Sequence, residues 1–548
     1  MSKLFALAAF GLMVPKAHHR IALSRAKHRS LAGHSNWSKR IAKLLPYYEF
    51  TGDDFFNSDQ VSGSVVARRK QSFTALSEHL SALSPKSLQM SAECEKSISD
   101  MQFVGRYRVP FPYGSVVRQH LKIPSLIAKA QSIFLTDIDG NSFYDLTGSY
   151  GTNLLGHDFY QQCLKKAHEQ AADNPTVLGS YHPQILDNVE QLRRISDKQE
   201  VSFHMSGTEA VMQAVRLARY HSRKRYLVRF CGAYHGWWGD VQPGLGNPSK
   251  ARDTLTLADL SARTLSVLAS RNDIACVLVN PLQALHPNKN ASSDSSLLLQ
   301  RSLPAYDRRA YREWLQKLRV VCDKKNIALI FDEVFVGFRL AYGGAQEYFG
   351  VKADMVTYGK TLGGGLPVGV LCGNHQWMRR YNPRKPANVC FARGTFNSHP
   401  MVMTAMGEFL RKARASEVQY EYSIAEQKWQ TRKDEFNMAF QSAGYPVQFE
   451  CMQTVWTIGY TSMSRYHWMY QFFLRKHGLA LSWVGTGRLI FSFNYSDAQV
   501  RQVLARFLAA ARDMQEGGWW ECGFENAKAA RKQLVKESFK AFWQRLTR

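Results

Sequence analysis

The sequence predicts an α/β protein: a mostly parallel central sheet with helices on both faces, then a small α+β C-terminal domain. Three observations lead there. Ile327 to Phe331 and Ala275 to Val279 are continuous apolar runs, the composition of strands buried in a parallel sheet, and they end in Asp332 and Asn280. Val201 to Met205 reads as a short strand that turns through Ser206-Gly207-Thr208 into a helix, with Ala210, Val211, Ala214, Val215 and Ala218 at helical spacing. Met355 to Tyr358 is a third apolar strand, stopped by Gly359-Lys360 with three glycines close behind. A polar residue at the carboxyl end of such a strand sits where open α/β sheets bind ligands.

At 548 residues the chain has room for several domains, and a hydrophobic fraction of 45% can bury a real core. The formal charge of +27 implies attraction to something anionic: a membrane surface, nucleic acid, an acidic carrier protein or a phosphorylated ligand. No specific nucleic-acid partner is expected. The 9 cysteines are scattered and form no CxxC pair, so neither a disulfide framework nor a metal site is suggested. A reducing compartment, the cytoplasm, is the natural setting.

Taken in order, the chain opens on a basic N-terminal extension, residues 1–105. Leu4 to Val14 is apolar, flanked by Lys3 and by Lys16, Arg20, Arg25, Lys27 and Arg29, with no acid before Glu49. The run is shorter than the ~20 apolar residues a bilayer span needs. Basic residues crowd the wrong side for a signal peptide, and no small-x-small cleavage site follows. A transit peptide, an interfacial helix giving peripheral membrane contact, and a helix packed on the body all fit this composition. Thr51 to Asp100 is Ser-rich and weakly periodic.

The body begins near Arg108-Val-Pro-Phe-Pro-Tyr113. Asp139-Gly140-Asn141 is hairpin chemistry between two alternating strands, Phe134 to Leu146. After the Ser206 turn, Tyr226 to Cys231 and Val368 to Cys372 read as further strands. Ser-Gly-Thr before a helix exposes unpaired N–H groups and the positive helix end to an anion; by itself it is also an ordinary N-cap. Lys360, an amine in a glycine-lined turn, can form a Schiff base with an aldehyde cofactor; by itself it is also a surface lysine. A Walker phosphate loop is excluded, because Asp354 stands where that motif needs glycine.

Asp332-Glu-Val-Phe-Val-Gly-Phe-Arg339 followed by Gly359-Lys-Thr-Leu-Gly-Gly-Gly365 resembles the class III aminotransferases, fold-type I enzymes dependent on pyridoxal 5'-phosphate. Within them the chain is most similar to the glutamate-1-semialdehyde aminomutase branch, over roughly Pro110 to Met514. The resemblance implies that Lys360 holds the cofactor, Asp332 holds its pyridine nitrogen, and Ser206, Gly207 and Thr208 anchor its phosphate. Tyr234, in Tyr234-His-Gly-Trp237, would cover a ring face. Thr395 would reach the phosphate of a neighbouring subunit, which implies a homodimer. His235 reads either as a contact to cofactor or substrate or as a structural histidine. Trp237 and Trp238 either wall the pocket or fill core. Tyr150 either lines the substrate entrance or is a core aromatic.

The sequence also departs from the family. Asn280 stands where glutamate is usual, with Gln283 keeping a polar group near the ring, and Asn494 stands where histidine is often found. His286 to Leu303 reads as a surface insertion. Tyr150, Asn280 and Gln283 are the expected substrate contacts, and the departures bear on the substrate rather than on the cofactor.

The large domain is expected over 106–400, with its segment near 106–160 contributing to the small domain and the entrance, and the small domain over 401–515. A basic amphipathic helix is expected over 516–548. It carries Leu534, Val535, Phe539, Phe542, Trp543 and Leu546 on one face, to bind a membrane or partner or to pack on its own protein. Three functions follow. One is an aminotransferase acting on a small amino donor and a carbonyl acceptor, free or tethered to a carrier, in a specialised biosynthetic pathway. The others are an aminomutase and a non-catalytic binding module; the joint presence of Lys360, Asp332 and Ser206-Gly207-Thr208 argues against the last.

Overall fold

The apolar runs assemble into one seven-stranded sheet, whose strands we number β1 (Glu200–His204), β2 (Tyr226–Phe230), β3 (Thr254–Leu257), β4 (Ile274–Val279), β5 (Ala328–Asp332), β6 (Met355–Gly359) and β7 (Gly369–Gly373). Their order across the sheet is β1-β7-β6-β5-β4-β2-β3. β7 runs antiparallel to both its neighbours, and the remaining pairs are parallel. The computed structural model describes residues 17–18, 20–27, 44, 46–106, 108–242, 251–285, 306–482 and 488–547. The apolar run Leu4 to Val14 and the insertion His286 to Leu303 lie outside them. All nine cysteines are free thiols, and among the described residues no helix is long and apolar enough to cross a membrane.

The chain divides into two units. The first comprises residues 1–43, 163–290 and 307–419, and holds the seven-stranded sheet. Alternation along its strands decides what covers each face. Ala328, Ile330 and Leu227 share a core with Val211, Ala214, Val215 and Ala218 of the helix Gly207–Ser222. Phe230, three residues after Leu227 and so on the other face, packs edge-on against Trp314 of the helix Arg308–Lys325, centroids 5.3 Å apart. That helix begins where the Asp307 carboxylate accepts from the Ala310 amide and stops at Asn326 with φ 47°.

The second unit comprises residues 44–162, 291–306 and 420–548. It contains the hairpin read around Asp139-Gly140-Asn141: Phe134–Asp137 pairs antiparallel with Ser142–Asp145, and Gly140 takes φ 91°. It also holds an antiparallel sheet of Val447–Met452, Val455–Tyr460 and Arg488–Ile490. Phe55, Phe73, Leu76 and Leu80, within the stretch 1–105 read from the sequence as an extension, supply part of this unit's core, where they pack with Tyr113, Phe436, Trp468, Phe507 and Trp519.

Arg69, fully buried on the helix Gly63–Leu83, uses all five of its N–H donors. They reach both oxygens of Asp59 and the carbonyls of Phe56, Gly518 and Glu521, while the ring of Tyr466 lies 4.3 Å from the guanidinium carbon. A buried cation tolerates loss of water only when it is satisfied in this way. Sequence-distant ends of this unit are thus tied at one side chain.

His467 is buried against the same core, stacked on Tyr460 at 3.8 Å, with Nε2 bonded to the Ser462 carbonyl at 3.1 Å. Burial pushes its pKa down to about 3, and the Ser462 bond only partly offsets that. The unfolded chain therefore takes up the proton first, so this contribution is complete above pH ~6.5 and is lost as pH falls towards the folded value. Stability should decline by about 1.4 kcal/mol per pH unit over that window on account of this side chain. Denaturant unfolding at pH 7 and pH 5 (on the order of one unit either side of the free value) should give a flatter dependence for His467→Gln than for the natural chain. An unchanged dependence would refute this account.

Candidate active site

The sheet brings four turns of the first unit together at one edge. The tightest approach is at Gly369, the first residue of β7, which faces His204 of β1 on one side and Gly359 of β6 on the other. A side chain on Gly369 would collide with the backbone of Ser206 and Gly207. One on Gly207 would lie 2.5 Å from a Val334 methyl, and one on Gly359 3.1 Å from the same methyl. Gly236, at φ 87°, leaves room for the Thr208 side chain. The turns at 206–208, 234–236, 332–334 and 359–360 are therefore in contact.

Ser206 caps the helix Gly207–Ser222: its hydroxyl accepts from the Glu209 amide at 3.3 Å, while the Glu209 carboxylate accepts from the Met205 amide at 2.9 Å. By position, the Gly207 and Thr208 amides have no acceptor within the helix, and the helix end carries partial positive charge. An anion suits this place.

Asp332 closes β5 and is buried. One oxygen accepts from the Val334 amide at 3.2 Å and the Thr357 hydroxyl at 3.3 Å; the other lies 2.7 Å from Nδ1 of His235. His235 is itself buried, and desolvation lowers its pKa despite the opposing pull of Asp332. A neutral His235 donates its Nδ1–H to Asp332, and its buried Nε2 has no hydrogen-bond partner. Glu333, next along, is pushed up to about 8 by burial, and one of its oxygens accepts from the Ala345 amide at 2.6 Å.

Lys360 follows β6 directly, with φ 45° in the left-handed region that costs a non-glycine residue roughly 1–2 kcal/mol. Its ammonium sits 5.2 Å from the centroid of Phe335, three residues beyond Asp332. A buried carboxylate, an amine and a helix amino end thus surround one place. A group with a protonated ring nitrogen, an aldehyde and a phosphate fits these residues.

The other residues singled out from the sequence fall differently. Asn280 and Gln283 hold backbone: Asn280 donates to the Tyr234 carbonyl at 3.1 Å and accepts from the Leu282 amide at 3.1 Å, and Gln283 donates to the Cys231 carbonyl. Their amides fix the turn that carries Tyr234 and His235. Tyr234 is 63% exposed, and Thr395 is also exposed. Of the two tryptophans, Trp237 is exposed and Trp238 packs against the core, its indole N–H on the His235 carbonyl at 3.2 Å. Tyr150 belongs to the second unit, where Ser149 and Tyr150 both take left-handed backbone, and it is exposed rather than core. Asn494, also in the second unit, accepts from the Ser492 hydroxyl at 2.6 Å.

Two contributors escaped the sequence reading. Thr357 binds Asp332, and Arg229, buried on β2, has Nε and Nη1 unpartnered and helps hold the pKa of His235 down. Each is a polar residue inside an otherwise apolar strand, which is the signal that could have found it.

The family model described as Aminotransferase class-III matches residues 115–284 and 307–509. The glutamate-1-semialdehyde 2,1-aminomutase of Methanococcus vannielii is 33% identical over 314 residues, 54% of this chain and 68% of the relative. That of Methanococcus maripaludis is 34% identical over 314 residues, with the same coverage of 54% and 68%. Among solved structures, a glutamate-1-semialdehyde aminomutase from Pseudomonas aeruginosa matches with TM-score 0.66 and 18% identity, covering 82% of this chain and 99% of that one. A β-phenylalanine aminotransferase from Variovorax paradoxus matches with TM-score 0.64 and 22% identity, covering 80% and 96%. At these identities the structural likeness carries the fold alone.

Proposed function

Because the chain belongs to the class III aminotransferase family, whose members use pyridoxal phosphate, we propose that it is an aminotransferase moving an amino group onto an aldehyde or ketone. The observation that carries the reading is the pairing of a retained cofactor side with an altered substrate side. The turns that carry Asp332, Lys360 and Ser206 lie in contact, while Asn280 and Gln283 donate their amides to the 231–234 backbone and leave no acid there. Bound at this place, pyridoxal phosphate supplies an aldehyde that takes up an amine and a ring that draws electrons from the substrate carbon.

The remaining work falls to the chain. Gly207 and Thr208 would hold the phosphate through their amides and the Thr208 hydroxyl. Asp332 would keep the ring nitrogen protonated, itself held in place by Thr357, Val334 and His235. Lys360 would anchor the cofactor and, once displaced by the incoming amine, carry a proton at Nζ to and from the substrate carbon. Tyr234 would cover one face of the ring. Tyr234, Trp237 and Phe391 are 63%, 76% and 69% exposed in the single chain, which supports a second copy closing this side and bringing its Thr395 to the phosphate. The chain's positive charge suits an acceptor tethered to an acidic carrier.

A half-reaction tests transfer against intramolecular shift. The cofactor-loaded protein is mixed with candidate amino donors, freed of small molecules, and assayed for aminated cofactor and a released carbonyl product. The expected result is that the aminated form accumulates and is discharged only by a separate carbonyl acceptor. Conversion of one amino-aldehyde into its isomer with no second substrate would instead establish an aminomutase.

A further inference from the structure

The C-terminal helix Ala527–Leu546 has two apolar faces, and its own protein uses only one of them. Ala530 and Ala541 are buried, Leu534 packs on the core, and Glu537 between them binds Arg465 at 2.8 and 3.0 Å and the Tyr48 hydroxyl at 3.1 Å. These recur at helical spacing and define the packing stripe, so Leu534 does not share a face with Val535, Phe539, Phe542 and Trp543, contrary to the sequence expectation. Val535, Phe539, Phe542 and Trp543 recur at the same spacing on a second stripe, roughly opposite the first at 3.6 residues per turn. They are 56%, 61%, 41% and 63% exposed.

The charges on the helix are equally one-sided. Arg531, Lys532, Lys536 and Lys540 are exposed beside the aromatic stripe, and the helix's one acid, Glu537, is engaged by Arg465. No carboxylate of the helix is left to neutralise that flank. A second copy of the same face would set two basic flanks against each other, and the chain as a whole carries +27. Phenylalanine and tryptophan side chains bordered by lysines are what a helix lying at the boundary between headgroups and acyl chains presents: rings sunk among the chains, ammonium groups on anionic headgroups. We propose that this outer face of the C-terminal helix docks on an anionic lipid surface. The face belongs to the second unit and the cofactor turns to the first, so the proposal is of an attachment and not of a step in the chemistry.

Flotation of the full-length, cofactor-loaded protein with vesicles tests it. The natural protein should float with phosphatidylcholine vesicles containing phosphatidylserine, and less as salt is raised. Phe539→Ser with Trp543→Ser should lower the partition coefficient at least about tenfold, with the same native mass and unfolding midpoint. Lys532→Gln, Lys536→Gln and Lys540→Gln together should also lower it at least about tenfold, to what vesicles of phosphatidylcholine alone give. The proposal is overturned if the natural protein does not float, or if the Phe539→Ser, Trp543→Ser protein floats as well as it does. A fall in native mass in that variant would also overturn it, because the face would then be a contact between copies.

Discussion

Replacing Lys360 with alanine is expected to abolish turnover, with kcat falling by at least about 10⁴-fold. Two losses combine in that figure: the amine that would hold the cofactor, and the base that would move the proton. The visible absorption band of lysine-bound cofactor should vanish with it. The native mass should not change, since Lys360 sits in a turn of the first unit, its ammonium 5.2 Å from the centroid of Phe335. Alanine inherits the left-handed backbone, whereas Lys360→Gly relieves it and should be more stable than the alanine variant by about 1 kcal/mol while equally inactive. Comparing the two by absorbance, activity and denaturant unfolding separates chemistry from fold. An alanine variant of normal activity would remove both the site assignment and the catalytic reading.

Asp332→Ala should lower kcat/KM by about 10³-fold. The carboxylate accepts from Val334, Thr357 and His235, all within 3.3 Å, so its removal strands three donors as well as the ring nitrogen it would hold. Asp332→Asn keeps the shape and an acceptor oxygen but not the charge. If the charge is what matters, the asparagine variant should retain cofactor and lose kcat, with KM nearly unchanged. Steady-state kinetics with a saturating amino donor would decide it, and wild-type kcat in Asp332→Asn would count against the proposed role.

How much could be read beforehand depended on whether a signal was local. The runs that became β4 and β5 are unbroken apolar stretches and that of β6 is interrupted only at Thr357, so strand, burial and the polar residue at each end were visible in a few letters. The contact of the turns was not. It depends on Gly369 sitting between His204 and Gly359, a pairing across more than a hundred residues. Polar residues after a strand face a ligand or a loop with the same letters, so the bonds from Asn280 and Gln283 to the carbonyls of Tyr234 and Cys231 were not legible beforehand. Thr51 to Asp100 reads as weakly periodic because Phe55, Phe73, Leu76 and Leu80 are diluted by serine and meet partners such as Phe436 and Trp519 hundreds of positions later. Arg69 reads as a solvent charge until Asp59, Gly518 and Glu521 close around it.

The antiparallel course of β7 has a consequence for how the site can open. Its amides and carbonyls pair with β1 on one side and β6 on the other, so the strand leading to Ser206 and the strand leading to Lys360 are each laddered to the same strand between them. β1 is the edge strand of the sheet, so it can part from β7 without breaking any of the bonds that hold β6. In hydrogen-exchange terms the amides of β1 should open at lower free energy than those of β6, which is held on both sides. The phosphate end of the cradle can thus loosen while the Lys360 end stays folded.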